Sequence, residues 1–371
     1  MQNSAKSMYA LNLEECKDLI LSIGSKRTVL LQGDMGNGKS SVLKMLAKEL
    51  PDHIPCYVDC TTKDLGDIMM PKFKTNGEQD YVSFVPNEEF GLHIKDKPII
   101  MMLDEYGKAN KSVKMALTRL TLERQLGSIK LHPDSIVFAT TNKGSEGVGD
   151  ILEPHQRDRL IIVTVRKTTN TEWLTWGLNF KDKHGNSIHP AVLGWAKDTP
   201  QVFESFENVK NPDDNPYIFH PNQQRVAFVT PRGMEMASDL VYKRDVLGDH
   251  IVTAGLMGTI GDRGALDLMA YVKLADKMPS RDDIKNSPST AKIPDNVSAT
   301  VMVVFRSLGS MTKDFVTPFM EYLVRLDIEA QAMFVNGVRA KNYQHQSMVM
   351  TNAKFTEWAM KNQHLYQADK K

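Results

Sequence analysis

The chain has 371 residues, with 46 Lys plus Arg against 45 Asp plus Glu, so its net charge of +1 sets up no field that would draw it onto nucleic acid or an anionic membrane. With 41% hydrophobic and 25% charged residues it has the composition of a folded globular protein, long enough for two or three domains and able to fold without disulfide or metal staples. No apolar run approaches the roughly 18 residues that span a bilayer. The opening MQNSAKSMYALNLEEC lacks the pattern of a secretory signal. Three cysteines, Cys16, Cys56 and Cys60, are too few for a disulfide framework, and a cytoplasmic location is expected. Cys56 and Cys60 lack two further ligands at zinc spacing and read as strand residues.

A first helix is expected from Asn12, whose side-chain oxygen can accept from free amides while Glu15 reaches back in a capping box. Leu13, Cys16, Ile20 and Ile23 form its apolar stripe, and Gly24 is expected to stop it in the left-handed conformation. Residues 28–31 read as a buried strand running straight into GDMGNGKS. A second helix follows, with Leu43, Leu46, Ala47 and Leu50 on one face and Pro51 as its stop. Further strands are expected at 55–60, 99–103, 135–139 and 160–165, and a helix carries Val113, Ala116, Leu117 and Leu120. Strands alternating with helices imply an α/β unit with a mostly parallel sheet covered on both faces.

After residue 168 the strand signal fades, and helices are expected around 171–178, 191–197, 231–243, 251–260 and 266–277. The stretch 278–294, with prolines at 279, 288 and 294, reads as a linker. Two more amphipathic helices follow, one marked by Val297, Val301, Val304, Phe305 and Leu308, the other by Val316, Phe319, Met320 and Leu323. Trp173 and Trp176, three apart, are expected to pack one helix face, with base stacking as the alternative.

The chemistry concentrates in three segments. Residues 33–40 fit GxxxxGK[ST], a pattern that a chain of this length meets by chance about once in a hundred cases. In such a loop Gly33, Asp34, Met35, Gly36, Asn37 and Gly38 turn backbone amides onto phosphate oxygens at a helix N-terminus, with Ser41 adjoining. Lys39 would reach the β and γ phosphates, and Ser40 would coordinate magnesium. PIIMMLDE, residues 98–105, is an apolar strand ending in two carboxylates, Asp104 for the magnesium shell and Glu105 to polarise an attacking water. SIVFATTN, residues 135–142, ends near the same ligand crevice in a doubly wound sheet, so Asn142 can orient the water or touch the γ phosphate. Thr141 competes for that role, and a turn-forming asparagine before Lys143 is the plain structural alternative.

Together these elements resemble the AAA+ ATPases, and more narrowly the MoxR group, over most of the chain. The resemblance implies a P-loop NTPase core at 1–168 with an insert at about 64–90, an all-helical lid at 169–278 and a C-terminal helical region at 279–371. DLGDIMMPKF and DYVSFVPNEEF look like the family's hairpin that projects toward a ring pore. Glu123, Arg124 and Gln125 are similar to the family's ERQ. EPHQRDRL, residues 153–160, looks like the arginine-finger segment, which puts that role on Arg159 with Arg157 as runner-up; Leu160 stands where the family has Phe. Thr230, Pro231 and Arg232 resemble sensor 2, where Arg232 would reach the γ phosphate of its own subunit. YLVRLDIEAQAMFVNGVRA and FTEWAMKNQHLY are similar to a C-terminal region of a MoxR-like branch associated with von Willebrand factor A domain partners.

The resemblance thus implies ATP and Mg²⁺ as ligands, a homo-oligomer in the form of a hexameric ring, and chaperone-like remodelling of a protein target. The alternative in the same fold is a nucleic-acid motor or clamp-loader-like ATPase, because fold does not fix function. A non-hydrolysing nucleotide sensor is a third reading, against which Glu105 and Arg159 weigh.

Overall fold

The computed structural model describes residues 9–77, 79–94, 96–143, 152–207, 209–340 and 343–363. The chain divides into two compact units between Thr168 and Thr169. Among the described residues no helix is long and apolar enough to cross a membrane.

The first unit opens with α1 (Leu13–Ile23), held at its start by the reciprocal Asn12 and Glu15 bonds, each 2.8 Å. Then come β1 (Val29–Gln32), α2 (Ser41–Glu49), β2 (Ile54–Asp59) and α3 (Leu65–Ile68). An antiparallel ribbon, β3 (Met69–Asn76) with β4 (Gln79–Pro86), follows. β5 (Ile99–Asp104), α4 (Lys111–Glu123), the short pair β6 (Gln125–Leu126) and β7 (Ile129–Lys130), β8 (Ile136–Thr141), α5 (Pro154–Arg157) and β9 (Ile161–Thr164) complete it.

Five strands form a parallel sheet in the order β2-β5-β8-β1-β9. Their apolar runs serve two faces, as strands covered on both sides require. Leu30, Met101, Leu103, Val137 and Ala139 pack with Val113, Leu117 and Leu120 of α4. Val29, Leu31, Ile100, Met102 and Phe138 pack with Cys16 and Ile20 of α1 and Val42 and Leu46 of α2. Strand, glycine-rich loop and helix in this arrangement are the P-loop α/β fold. Cys56 on β2 and Cys60 just past it are buried free thiols.

Gly24 corrects one expectation. Its backbone is right-handed, φ −62° and ψ −23°. What requires glycine there is space, since an added Cβ would stand 2.5 Å from the Ile20 carbonyl oxygen and 2.8 Å from Ile136 Cγ2. The left-handed cap is found instead on Arg124, φ 56°, at the end of α4. Its guanidinium explains how a non-glycine residue holds that conformation. Nη1 donates to Thr28 Oγ1 at 2.7 Å and Thr121 O at 2.6 Å, Nη2 to Gly24 O at 2.9 Å, and Nε to Ser25 O at 3.2 Å. One side chain therefore ties the ends of α1 and α4 to the start of β1, and burial lowers its pKa to about 10, which leaves it charged at neutral pH.

Among the described residues the second unit contains helices and no strand. They are α6 (Asn170–Asn179), α7 (Pro190–Asp198), α8 (Pro231–Tyr242), the run α9 (Arg244–Ala275) broken at Gly248 and Gly261, α10 (Arg281–Asn286), α11 (Val297–Gly309), α12 (Lys313–Leu323), α13 (Ile328–Arg339), α14 (Gln346–Met350) and α15 (Ala353–Lys361). One core serves helices on both sides of residue 278, running from Trp195, Met234 and Leu256 to Val301, Phe319, Phe334 and Phe355. Trp173 is in that core, with its ring 5.8 Å from Phe203, while the half-exposed Trp176 lies 4.7 Å from Phe180. The tail of the C-terminal motif, 364–366, lies outside the described residues.

The stretch expected to be a linker also differs. Ser280 and Asp283 form a capping box for α10, whose Ile284 is fully buried. Arg281 lies over the Phe315 ring at 4.5 Å, and Lys285 pairs with Asp314. Its prolines flank the helix at 279 and 288 rather than interrupting it, and Pro288 O accepts from Arg325 Nη1 at 2.6 Å.

Arg124→Ala should lower stability by about 3 kcal/mol in urea unfolding, because it strands several half-buried acceptors and leaves alanine at a left-handed position. Arg124→Lys should recover less than half of that loss, since one ammonium cannot reach three directions.

Candidate functional site

The sheet order sets the site. β1 lies between β8 and β9, and β5 lies on the far side of β8, with Gln32 level with Thr141 and Leu103 level with Ala139. The carboxyl ends of β5, β8 and β1 thus deliver Asp104 and Glu105, Asn142, and the glycine-rich loop side by side.

Within that loop Gly36 has φ 67° and Gly38 φ 80°, a conformation L side chains rarely adopt. Lys39 Nζ donates to Gly33 O, Asp34 O and Asn142 Oδ1, each at 2.8 Å, and the lysine is only 7% exposed. Asp34 also receives Lys143 at 3.0 Å. Ser41 Oγ donates to Gly38 O at 2.6 Å and closes the turn into α2.

Asp104 collects three hydroxyls. Oδ2 accepts from Ser40 Oγ at 3.3 Å and from Tyr57 at 2.9 Å, while Oδ1 accepts from Thr140 Oγ1. Glu105, with φ 51°, is held in place at both ends. Asn142 Nδ2 donates to its Oε1 at 2.8 Å, and Lys108 pairs with its Oε2 at 2.9 Å. Asn142 thereby bridges Lys39 and Glu105. Glu105 N donates to Thr140 Oγ1 at 3.4 Å, and through Thr140 the Lys39, Asn142 and Glu105 set joins the Ser40 and Asp104 set.

Among the described residues Arg157 and Arg159 make no hydrogen bond or ion pair with that network. In α5, Arg157 Nε donates to Leu152 O at 2.9 Å. Arg159 is exposed and makes no side-chain hydrogen bond or ion pair among the described residues. Arg232 belongs to the second unit, exposed in the first turn of α8, whose cap Thr230 accepts from Gly233 N at 2.9 Å.

Three participants escape sequence reading. Tyr57 sits on β2 and reaches Asp104 across the sheet. Thr140 lies inside the strand whose last residues drew attention and differs from Thr141 by its hydroxyl bond to Asp104. Asn37 is a side chain at a position read only for its backbone. It is 1% exposed, its Nδ2 donates to Arg166 O at 2.8 Å, and its Oδ1 accepts from Thr168 N at 2.9 Å and Thr168 Oγ1 at 3.1 Å.

The donor set suits a hard, oxygen-binding cation in one respect. Ser40 and Asp104 present adjacent oxygens, and among the described residues no three His, Cys, Asp or Glu side chains cluster as a cage that would hold a metal unaided. Magnesium is typically bound by one or two protein oxygens with phosphates and water supplying the rest.

No family model matches the chain, and no curated protein matches it. Among solved structures it is similar to a point mutant of Thermotoga maritima RuvB at 15% identity over 82% of this chain and 86% of that one, with a TM-score of 0.37. The T. maritima RuvB Holliday junction branch migration motor gives 16%, 82%, 86% and 0.35. NtrX from Brucella abortus in complex with ADP gives 13% identity over 95% of this chain and 68% of that one, with a TM-score of 0.36.

Asn37→Ala should cost about 2–3 kcal/mol in urea unfolding, because it removes three part-buried hydrogen bonds, to Arg166 O, Thr168 N and Thr168 Oγ1. Asn37→Asp keeps the acceptor but sets an oxygen against Arg166 O, so it should recover little.

Proposed function

We propose that this protein is a magnesium-dependent ATPase of the AAA+ class, working as a ring and using turnover to remodel a protein target. The observation that carries the reading is the hydrogen-bonded set joining Lys39 of the loop, Asn142 at the end of β8 and Glu105, and through Thr140 also Asp104, at the end of β5.

Each residue then has a task. The loop amides and Lys39 hold phosphate charge at the N-terminus of α2. Ser40 and Asp104 would hold magnesium, which when bound offsets charge on the phosphate oxygens. Glu105 would hydrogen-bond the attacking water and draw its proton as the water oxygen bonds to the γ-phosphorus and the bond from that phosphorus to the bridging oxygen breaks, ADP leaving with the electron pair. Asn142 keeps the Glu105 carboxylate and the Lys39 ammonium in fixed relation, so the base and the charge clamp cannot drift apart.

Finer assignments extend this. Arg159 supplies a guanidinium to the site of a neighbouring subunit, and its exposure without a hydrogen-bonded or ionic partner among the described residues supports that role over Arg157, whose Nε is engaged by Leu152 O. The ribbon of β3 and β4 exposes Met70, Phe73, Tyr81 and Phe84, which suits contact with a protein target. A von Willebrand factor A domain protein is the partner suggested by the C-terminal motifs, and Arg232 is the sensor that the helical unit contributes.

Lys39→Ala should abolish tight ATP binding, whereas Glu105→Gln should bind ATP normally and lose turnover. Nucleotide titration beside an ATPase assay checks this, and equal loss of affinity in both variants would overturn the assigned roles. Stimulation of turnover by single- or double-stranded DNA, with none by protein, would make the chain a nucleic-acid motor instead.

Arg159→Ala should retain binding and lose about 10³-fold or more in hydrolysis, as expected for a guanidinium acting on transition-state charge. Mixing Arg159→Ala with Lys39→Ala chains should restore activity, each supplying the half-site the other lacks. Normal hydrolysis by Arg159→Ala alongside an inactive Arg157→Ala would move the finger by two residues.

A further inference from the structure

The helical unit contains a cavity of about 420 Å³ that the nucleotide chemistry does not use. This lies within the roughly 300–1,000 Å³ typical of small-molecule sites. Its floor is apolar and buried, with Leu193, Val241, Val272 and Met302 contributing.

Of the lining side chains that can donate, Arg244 is paired with Asp249 and Asp276 and Ser310 Oγ donates to Arg306 O, while Arg306 and His189 have no carboxylate within ion-pair distance among the described residues. Arg306, in the last turn of α11, gives Nη2 to the Pro279 carbonyl. Burial lowers its pKa, with Tyr322 and Asp283 opposing the shift through space. His189 Nδ1 accepts from Ala191 N at 3.1 Å, which puts the ring proton on Nε2. Burial also pushes this histidine down to about 4, so at neutral pH it is an uncharged donor. The lining carboxylates lie at the exposed rim as Asp245 and Asp276, and Asp276 already accepts from Arg244 Nη1 at 2.9 and 2.7 Å.

An apolar floor beside a guanidinium that has a carbonyl partner but no carboxylate partner favours one kind of guest. A half-buried guanidinium such as that of Arg306 gains most from a carboxylate that meets it with two parallel bonds. We propose that this cavity binds an amphipathic carboxylate, a medium-length apolar chain lying on Leu193, Val272 and Met302 with its carboxylate paired to Arg306. The site is independent of the ATPase reading.

Calorimetric titration of the full chain with octanoate, and with 1-octanol as its neutral isostere, tests the assignment. Octanoate should saturate at one per chain and bind at least tenfold more tightly than octanol. Arg306→Gln should weaken octanoate at least tenfold and leave octanol within about twofold. Because that change also removes the bond to Pro279, a second variant is needed. Gly309 lines the cavity, and a Cβ added there meets only Ser187 Oγ, at an ordinary 3.6 Å. Gly309→Trp should therefore fill the cavity with little strain and abolish binding of both compounds at an unchanged melting temperature. Failure of octanoate to saturate the unmodified chain, equal affinity for octanol, or undiminished binding to Gly309→Trp would each overturn the proposal.

Discussion

The Lys39 ammonium is the charge around which the first unit is arranged. A cation with so little exposure is tolerable only if acceptors surround it. Two of these acceptors, Gly33 O and Asp34 O, come from the loop leaving β1, and the third, Asn142 Oδ1, comes from the residue after β8. That set exists only if β1 and β8 are parallel neighbours in register, which the pairing of Gln32 with Thr141 provides. The order of the sheet and the position of one ammonium are therefore a single constraint.

Around it the strand ends share a limited supply of donors. Asp104 takes three hydroxyls from three elements, and Glu105 follows it in a left-handed conformation that a bulky residue adopts only when its surroundings impose it. Asn142 on one side and Lys108 on the other supply that imposition. The turn separates two adjacent carboxylates, sending Asp104 toward Ser40 and Glu105 toward Asn142. Two like charges in sequence acquire different neighbours, and with them different chemistry.

What the sequence disclosed follows from how local each signal is. The loop, the apolar strands and the Asn12 capping box are contiguous patterns whose geometry is set within a few residues, and they stand where expected. Tyr57 is different, since its bond to Asp104 spans 47 positions and depends on β2 pairing with β5, which no local pattern encodes. Gly24 and Arg124 show the same limit in another form. Glycine suggested a left-handed cap, but the requirement was clearance from Ile136, and the left-handed residue proved to be an arginine stabilised by contacts up to 100 positions away. Residues 281–286 were obscured by flanking prolines and charges, although Ser280 and Asp283 carry a legible capping box around the buried Ile284.

Asn37 shows how far the loop's influence extends. Its amide is buried and fixed to Arg166 O and to Thr168 through both of that residue's donors, so the backbone of the loop and the last residue of the first unit share one rigid connection. Thr169, the next residue, caps α6 through its bonds with Glu172. If the loop shifts at Asn37, residues 166–168 must either move with it or give up three part-buried hydrogen bonds, each with a cost to leave unmade. Moving with it preserves all three. A displacement at Asn37 is therefore transmitted, through hydrogen bonds, to the residue that precedes the α6 cap.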